Sequence, residues 1–387
     1  MLSRRDFLKS ASGAALAAST ALPLTWAADD FDLSIPGKEG LIVRSYRFLD
    51  LETPVEYFNT WLTPAQYFFV RNHMLEPSTL DPAEWKLNVG GEVERPFSLG
   101  FAELSKLENH SVVNTLECAG NGRAYMDPKV PGVQWQKGAV GTGSFSGPRL
   151  RDLLERAGVK PTGKHVMFRG LDEVPGKVPP FIRSIPIDKA LDGSTLVATS
   201  LNGAALPKHH GFPARALVPG WIGSASCKWL TEIRVLEKEF EGNFMNPGYR
   251  VPNQPVKPGE AVKPEETHSL TELNVKSLIS TPADGASLKF GSLTIQGVAW
   301  AGEADLVRVD VSLDGGTSWL PARLGNDHAP YAWRLWTLSW KTPKSGDYVV
   351  VSRATDSRGR TQPARPLWNP SGYLNNAVDQ VKIHVQA

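Results

Sequence analysis

The 387-residue sequence holds only two cysteines, Cys118 and Cys227. That is too few for a disulfide framework and leaves room for one bridge at most. No Cys-x-x-Cys-His run occurs, so no c-type haem is attached to this chain. No Cys/His/carboxylate set stands at zinc spacing. Net charge is scarce too: 42 Lys and Arg against 40 Asp and Glu leave +2. Arg4, Arg5 and Lys9 against Asp6 account for that excess, so the remainder is near neutral. A nucleic-acid or polyanion partner is thereby excluded. Long apolar runs are also missing. The stretch Ala11 to Leu24 is interrupted by Ser, Thr and Gly and is too short to span a bilayer.

What is plentiful is Gly (35), Pro (30) and Trp (12). The first two favour β structure and loops over a helical bundle. The tryptophans are expected to pack β layers. Ser3-Arg4-Arg5-Asp6-Phe7-Leu8-Lys9 is a twin-arginine pattern, and Thr25-Trp26-Ala27 reads as a cleavage site. Residues 1–27 are therefore expected to be an export signal to the bacterial periplasm, by a route that carries folded proteins, commonly cofactor-loaded ones. Residues 28–255 are expected to form the first domain. Residues 256–270, with Pro258 and Pro264 among Lys and Glu, read as a linker. Residues 271–387 read as an all-β sandwich. Leu306 to Leu313 alternates with period two, Asp314-Gly315-Gly316 turns, and Thr317-Ser318-Trp319 starts the return strand.

Chemistry concentrates in the first domain. The β-branched run Val112 to Leu116 predicts a buried strand that enters the loop Cys118-Ala119-Gly120-Asn121-Gly122-Arg123. Gly120 and Gly122 are expected to permit unusual backbone conformations there. On its own, Cys118 reads equally as a small buried residue or as half of a bridge with Cys227. Thr63 to His73 predicts a turn and an aromatic strand ending in Arg71-Asn72-His73, an array of donors. Pro148 to Gly158 is a short helix with Leu150, Leu153, Leu154 and Ala157 on one face. Strand Val166 to Leu171 ends at Asp172. His209 and His210 are adjacent, so in a strand they point apart and do not chelate one ion. An anion-binding role suits His210 and Arg215 better.

Four segments together resemble the sulfite oxidase family of molybdopterin enzymes, and they occur in that family's order. They are Phe68-Phe69-Val70-Arg71-Asn72-His73, Glu117-Cys118-Ala119-Gly120-Asn121-Gly122-Arg123, the stretch from Asn202-Gly203 through Pro207 to His210-Gly211-Phe212-Pro213-Ala214-Arg215, and Lys228-Trp229-Leu230. The resemblance spans both domains. It implies an α+β molybdopterin-binding domain followed by an immunoglobulin-like dimerisation sandwich. It implies one molybdenum held by one pterin dithiolene, with Cys118 as the protein thiolate, and that role is incompatible with a bridge to Cys227. Soft sulfur suits such a metal. It further implies that Arg71, Asn72, His73, Asp172, His210, Arg215, Ser226, Cys227 and Lys228 hold the cofactor, Asp172 at the pterin. Arg71, Arg123 and Tyr249 are implied to meet the substrate.

The implied reaction is oxidation of sulfite to sulfate by oxygen-atom transfer, with electrons leaving to a separate c-type cytochrome. The family's animal members have a basic residue where Gly122 stands and an arginine where Ser371 stands. The second departure leaves room for a sulfane dehydrogenase subunit acting on carrier-bound sulfur. The sandwich argues against a periplasmic methionine sulfoxide reductase. A non-enzymatic periplasmic binding protein is the alternative outside catalysis. Trp300, Trp319, Trp333, Trp336, Trp340 and Trp368 exceed what one small core needs, so part of this set is expected to form a homodimer face.

Overall fold

The computed structural model describes residues 35–386; the expected export segment, residues 1–27, lies outside them. The β-branched run becomes strand His110–Glu117, buried from Asn114 onward. It pairs antiparallel with Val140–Gly147, with Glu117 opposite Val140. The hairpin Ser200–Leu201 and Ala204–Ala205 extends this sheet, turning through Asn202 and Gly203 at φ 52 and 81. Both central residues of that turn are left-handed, which Asn-Gly accepts with little strain. A five-stranded sheet runs in the order Phe97–Gly100, Lys86–Gly91, Leu230–Leu236, His165–Gly170, Ile182–Pro186. In its register Leu230 faces Gly170 and Arg169 faces Ile182. That pairing brings Lys228, Asp172 and Arg183 to one end of the sheet. Helix Leu150–Ala157 buries the predicted face of Leu150, Leu153, Leu154 and Ala157 and ends at left-handed Gly158.

Two further sheets cover residues 276–386. One orders Lys276–Thr281, Ser292–Trp300, Arg334–Lys341, Arg323–Leu324; the other Ala286–Lys289, Asp379–Gln386, Gly346–Asp356, Leu306–Ser312, Leu320–Pro321. Val309, Val311, Ile295, Ile279, Val350 and Ile383 fill the space between them. The strict alternation expected of Leu306–Leu313 breaks at its start. A bulge between Leu306 and Arg308 turns Val307 outward, to 51% exposed. The return strand begins one residue past Trp319, at Leu320. The stretch expected as a linker ends in a strand, Thr267–Ser269, which pairs with Arg250–Pro252. Arg250 fastens that hairpin by donating to Thr267 and Ser269.

The tryptophans divide between several roles. Trp300, Trp333 and Trp336 are fully buried within the one chain, and Trp340 nearly so. Trp300 Nε1 donates to Glu117 and Trp333 Nε1 to Trp61 O, so they join the first domain to the sandwich. Two of the six thus serve the seam, Trp336 and Trp340 pack the sandwich core, and Trp319 and Trp368 remain half-buried. Ion pairs Lys276–Glu117, Lys137–Asp379 and Lys189–Glu303 cross the seam as well. Residues 368–376 then run back onto the Cys118 loop. Leu374 N donates to Ala119 O, Asn375 Nδ2 to Gly122 O and Trp368 Nε1 to Pro128 O.

Candidate active site

The loop that carries Cys118 is fixed by its own polar groups. Glu117, buried, accepts from Asn121 Nδ2 at 2.9 Å, Trp300 Nε1 at 2.9 Å and Lys276 Nζ at 3.0 Å. Asn121 Oδ1 in turn accepts from Ala139 N. Asn121 is thereby spent on holding the loop. Gly122 sits at φ 89, as its place in the turn requires. Gly120 is needed for a different reason. A Cβ there would lie 2.5 Å from Nη2 of Arg123, whose guanidinium packs against it. Cys118 and Cys227 are both buried free thiols. Burial raises the Cys118 thiol's pKa, and the nearby Arg71 and Arg123 charges oppose that rise.

One cavity, with about 690 Å³ of empty space partly open to solvent, receives Cys118. Arg71, Asn72, His73, Asp172, His210, Arg215, Ser226, Cys227, Lys228 and Tyr249 line it, from six separate stretches of chain. Arg123 does not. Its Nε donates to Ser371 O at 2.9 Å and its Nη1 to Val133 O at 2.8 Å. Backbone carbonyls have taken this guanidinium, so Arg123 reaches the thiol by charge and not as a cavity wall. The sequence led to the expectation that Arg123 meets the substrate, and the structure sets it next to the cavity lining rather than in it.

At one wall of the cavity Arg71 is held by Asp50 at 3.2 Å and by the Asn72 carbonyl. The Tyr249 hydroxyl hydrogen-bonds His73 Nε2. Burial, then the charges of Arg71, Lys228 and Arg183, keep His73 well below its usual pKa, so it is neutral, and in the tautomer with its proton on Nε2 it donates to the phenol oxygen and leaves the phenol hydrogen free. Burial also pushes the Tyr249 phenol pKa upward, which keeps it a donor. Tyr249 takes φ 55, an uncommon conformation for a bulky residue. The His73 bond and a parallel stack on Tyr373, at 5.4 Å and 7°, hold it there.

A cationic wall is built differently from its prediction. Asn72 is engaged by protein at both ends of its amide, Nδ2 on Glu76 and Oδ1 accepting from Lys228. Glu76 also binds His209 Nδ1 at 2.9 Å, and Lys228 donates to His209 O. Asn72 therefore aims Lys228, and one of its two amide hydrogens is taken by Glu76. Arg215 is buried and donates only to carbonyls, those of Ala216, His210 and Ser226. Ser226 Oγ accepts from Val218 N, and the neighbouring Ser224 Oγ is buried without any partner. Asp172 is raised to about 6 by burial against the pull of Lys228. Burial lifts the Cys227 thiol to about 12.

Lys38 was missed by sequence reasoning. Its ammonium donates to Ala65 O at 2.6 Å, Phe68 O at 2.8 Å and His210 Nε2 at 2.6 Å, which uses all three hydrogens. His210 must then accept at Nε2 and carry its proton on Nδ1, which has no protein partner among the described residues. Burial and the charges of Lys38, Lys228 and Arg215 keep His210 neutral. The signal for Lys38 was absent because Gly37-Lys38-Glu39 looks like any exposed turn.

Comparison with known proteins identifies this arrangement. Residues 73–244 match the oxidoreductase molybdopterin binding domain, and residues 267–386 the Mo-co oxidoreductase dimerisation domain. The chain is 38% identical to sulfite oxidase of Gallus gallus over 367 residues, covering 91% of this chain and 79% of that protein. The chain belongs to the sulfite oxidase family. It is 37% identical to mitochondrial sulfite oxidase of Homo sapiens, covering 89% of this chain and 66% of that one. The crystal structure of the sulfane dehydrogenase SoxCD from Paracoccus pantotrophus superposes with TM-score 0.76 at 28% identity, covering 96% and 93% of the two chains.

The family is one of molybdopterin oxidoreductases acting on sulfur compounds, and the donor set fits that cofactor. Cys118 offers a thiolate at one part of the cavity. Elsewhere the cavity offers cations without acid partners, an orphaned Ser224 hydroxyl and a free His210 Nδ1–H, which suit a phosphate. Burial lowers both Lys38 and Lys228 from 10.5 to about 7. Sulfate, whose charge is constant above pH 3, reports their state. Its affinity for the cofactor-free protein is expected to fall as pH rises from 6 to 8 and these lysines lose protons. Calorimetric titration checks this, and Lys38→Met should flatten the profile. The same depression makes the cofactor-free fold gain stability between about pH 7 and pH 10, where only the unfolded chain holds the extra protons.

Proposed function

We propose that this chain is a periplasmic molybdenum enzyme that oxidises sulfite to sulfate and passes two electrons, one at a time, to a separate c-type cytochrome. The observation that carries this reading is the convergence of Cys118, Arg71 and the Tyr249–His73 pair on one cavity. When bound, the cofactor would supply the oxygen-atom transfer and the two-electron chemistry, with Cys118 as its protein thiolate. The protein's share is electrostatic. Arg71 replaces hydration around a small dianion, a desolvation that needs a cation. With neutral His73 donating its Nε2–H to the phenol oxygen, Tyr249 is held in place and keeps its own hydrogen to donate to an oxyanion. Asn72, through Lys228, and Lys38, through His210, align the anchoring donors. Sulfite-dependent reduction of cytochrome c or ferricyanide by the molybdenum-loaded protein tests the reading.

Arg71→Gln is expected to remove about 2–5 kcal/mol of transition-state binding, seen as at least a tenfold rise in KM for sulfite. An unchanged KM would remove Arg71 from the substrate site. A homodimer through the sandwich domain is part of the proposal, supported by the match over residues 267–386. Sedimentation at micromolar concentration should give twice the chain mass. A second reading, the sulfane dehydrogenase subunit, draws support from the similarity to SoxCD over nearly the whole chain and from Ser371. Inactivity with free sulfite together with oxidation of a sulfur-loaded carrier protein would favour it.

A further inference from the structure

Arg183 belongs to none of the recognised motifs and does not line the cavity. It lies at the start of strand Ile182–Pro186 and is 2% exposed. Among the described residues no carboxylate pairs with it. One Nη donates to Phe244 O, and Nε has no partner. A guanidinium buried with so few acceptors is costly unless it does something that offsets the loss. What it faces is Tyr249: Cζ lies 4.9 Å from the ring centroid. The Tyr249 ring is parallel to Tyr373, and Arg123 Cζ lies 5.3 Å from the Tyr373 ring. Two cations and two rings thus form one connected stack, Arg123–Tyr373–Tyr249–Arg183. The stack delivers its influence to the cavity through a single polar atom, the Tyr249 hydroxyl on His73.

We propose that Arg183 is a specificity-determining positioning residue: acting through Tyr249, it supplies the positive charge for an anionic substrate that Ser371 does not. A cation over a phenol ring withdraws electron density and makes the O–H a stronger donor. Its charge is also weakly screened in a dry interior, so it adds to Arg71 at the cavity. The inference rests on the anionic-substrate reading given above. In that reading Arg71 is the contacting cation, and Arg183 sets how strongly Tyr249 helps.

The test uses loaded enzyme with Arg183→Gln, which retains a donor for Phe244 O, and Arg183→Lys, which retains the charge. Pterin content should match wild type in both. Arg183→Gln is expected to raise KM for sulfite and the inhibition constant of sulfate about tenfold, with kcat changed less than threefold. Arg183→Lys should recover most of that loss, and added guanidinium ion should lower KM in Arg183→Ala. Wild-type constants in Arg183→Gln would overturn the proposal. So would equal damage in the Gln and Lys variants, or loss of pterin or fold in both, since either makes Arg183 merely structural. Should wild type ignore sulfite altogether, the sulfite reading falls on its own. Calorimetric sulfate binding, tenfold weaker in Arg183→Gln or unchanged, then still decides for or against Arg183.

Discussion

Cys118→Ser is expected to fold, to retain pterin and to lose turnover by more than about a hundredfold, beyond what loss of an outer-shell partner costs. A hydroxyl is a far poorer ligand than a thiolate for a soft, redox-cycling metal. The loop itself should survive. Its shape depends on Asn121, Glu117 and Lys276, and the Cys118 side chain takes no part in those bonds. Cys118 N donates to Ala139 O and its carbonyl accepts from Asn121 N, and serine keeps both. Pterin retention follows from the separate wall of cationic Lys228 and Arg215 with the neutral donor His210. Three measurements decide it: turnover, circular dichroism and pterin fluorescence after oxidative release. Full turnover in a folded, loaded Cys118→Ser protein would remove the cysteine from the metal.

Lys276→Met should be the most damaging change away from the cavity. Lys276 and Glu117 form a buried pair, with side chains 7% and 9% exposed. Removing the lysine leaves a buried carboxylate facing only the neutral donors of Asn121 and Trp300. Such an uncompensated charge costs about 3–5 kcal/mol. The melting temperature of the loaded protein should fall by roughly 5–10 °C. Adding Glu117→Gln should recover most of the loss, because the side chain then carries no charge. Damage that persists in the double variant would assign the effect to packing of the lysine stem against Trp300, 5.8 Å from its ammonium.

What was legible in the sequence, and what was not, divides along one physical line. Val112 to Leu116 announces its strand because β-branched side chains fill a pleated, buried surface. Leu150, Leu153, Leu154 and Ala157 announce a helix face by spacing alone. Cys118, Arg71 and Tyr249 stand in segments whose residue types are unusual together. Arg123 was placed in the family's position but not in its surroundings. Its acceptors are the carbonyls of Val133 and Ser371, and backbone acceptors leave no mark on a sequence. Lys38 was invisible for a related reason, since its partner His210 is 172 residues away. Arg183 escaped notice as one arginine in an ordinary strand. Of the tryptophans expected at a dimer face, Trp300 and Trp333 serve the seam between the two domains, because such a seam consumes apolar area just as a dimer face does.

The return of residues 368–376 onto the Cys118 loop also bears on how the molecule is made. The bonds from Arg123 to Ser371 and from Asn375 to Gly122 span 248 and 253 residues. A nascent chain that has produced all of the molybdopterin-binding domain still lacks the atoms that finish its thiolate loop. That loop waits for residues 371–375, and its closure is among the most non-local events in folding. A protein cut short before Tyr373 would keep most of its catalytic residues and never present them together.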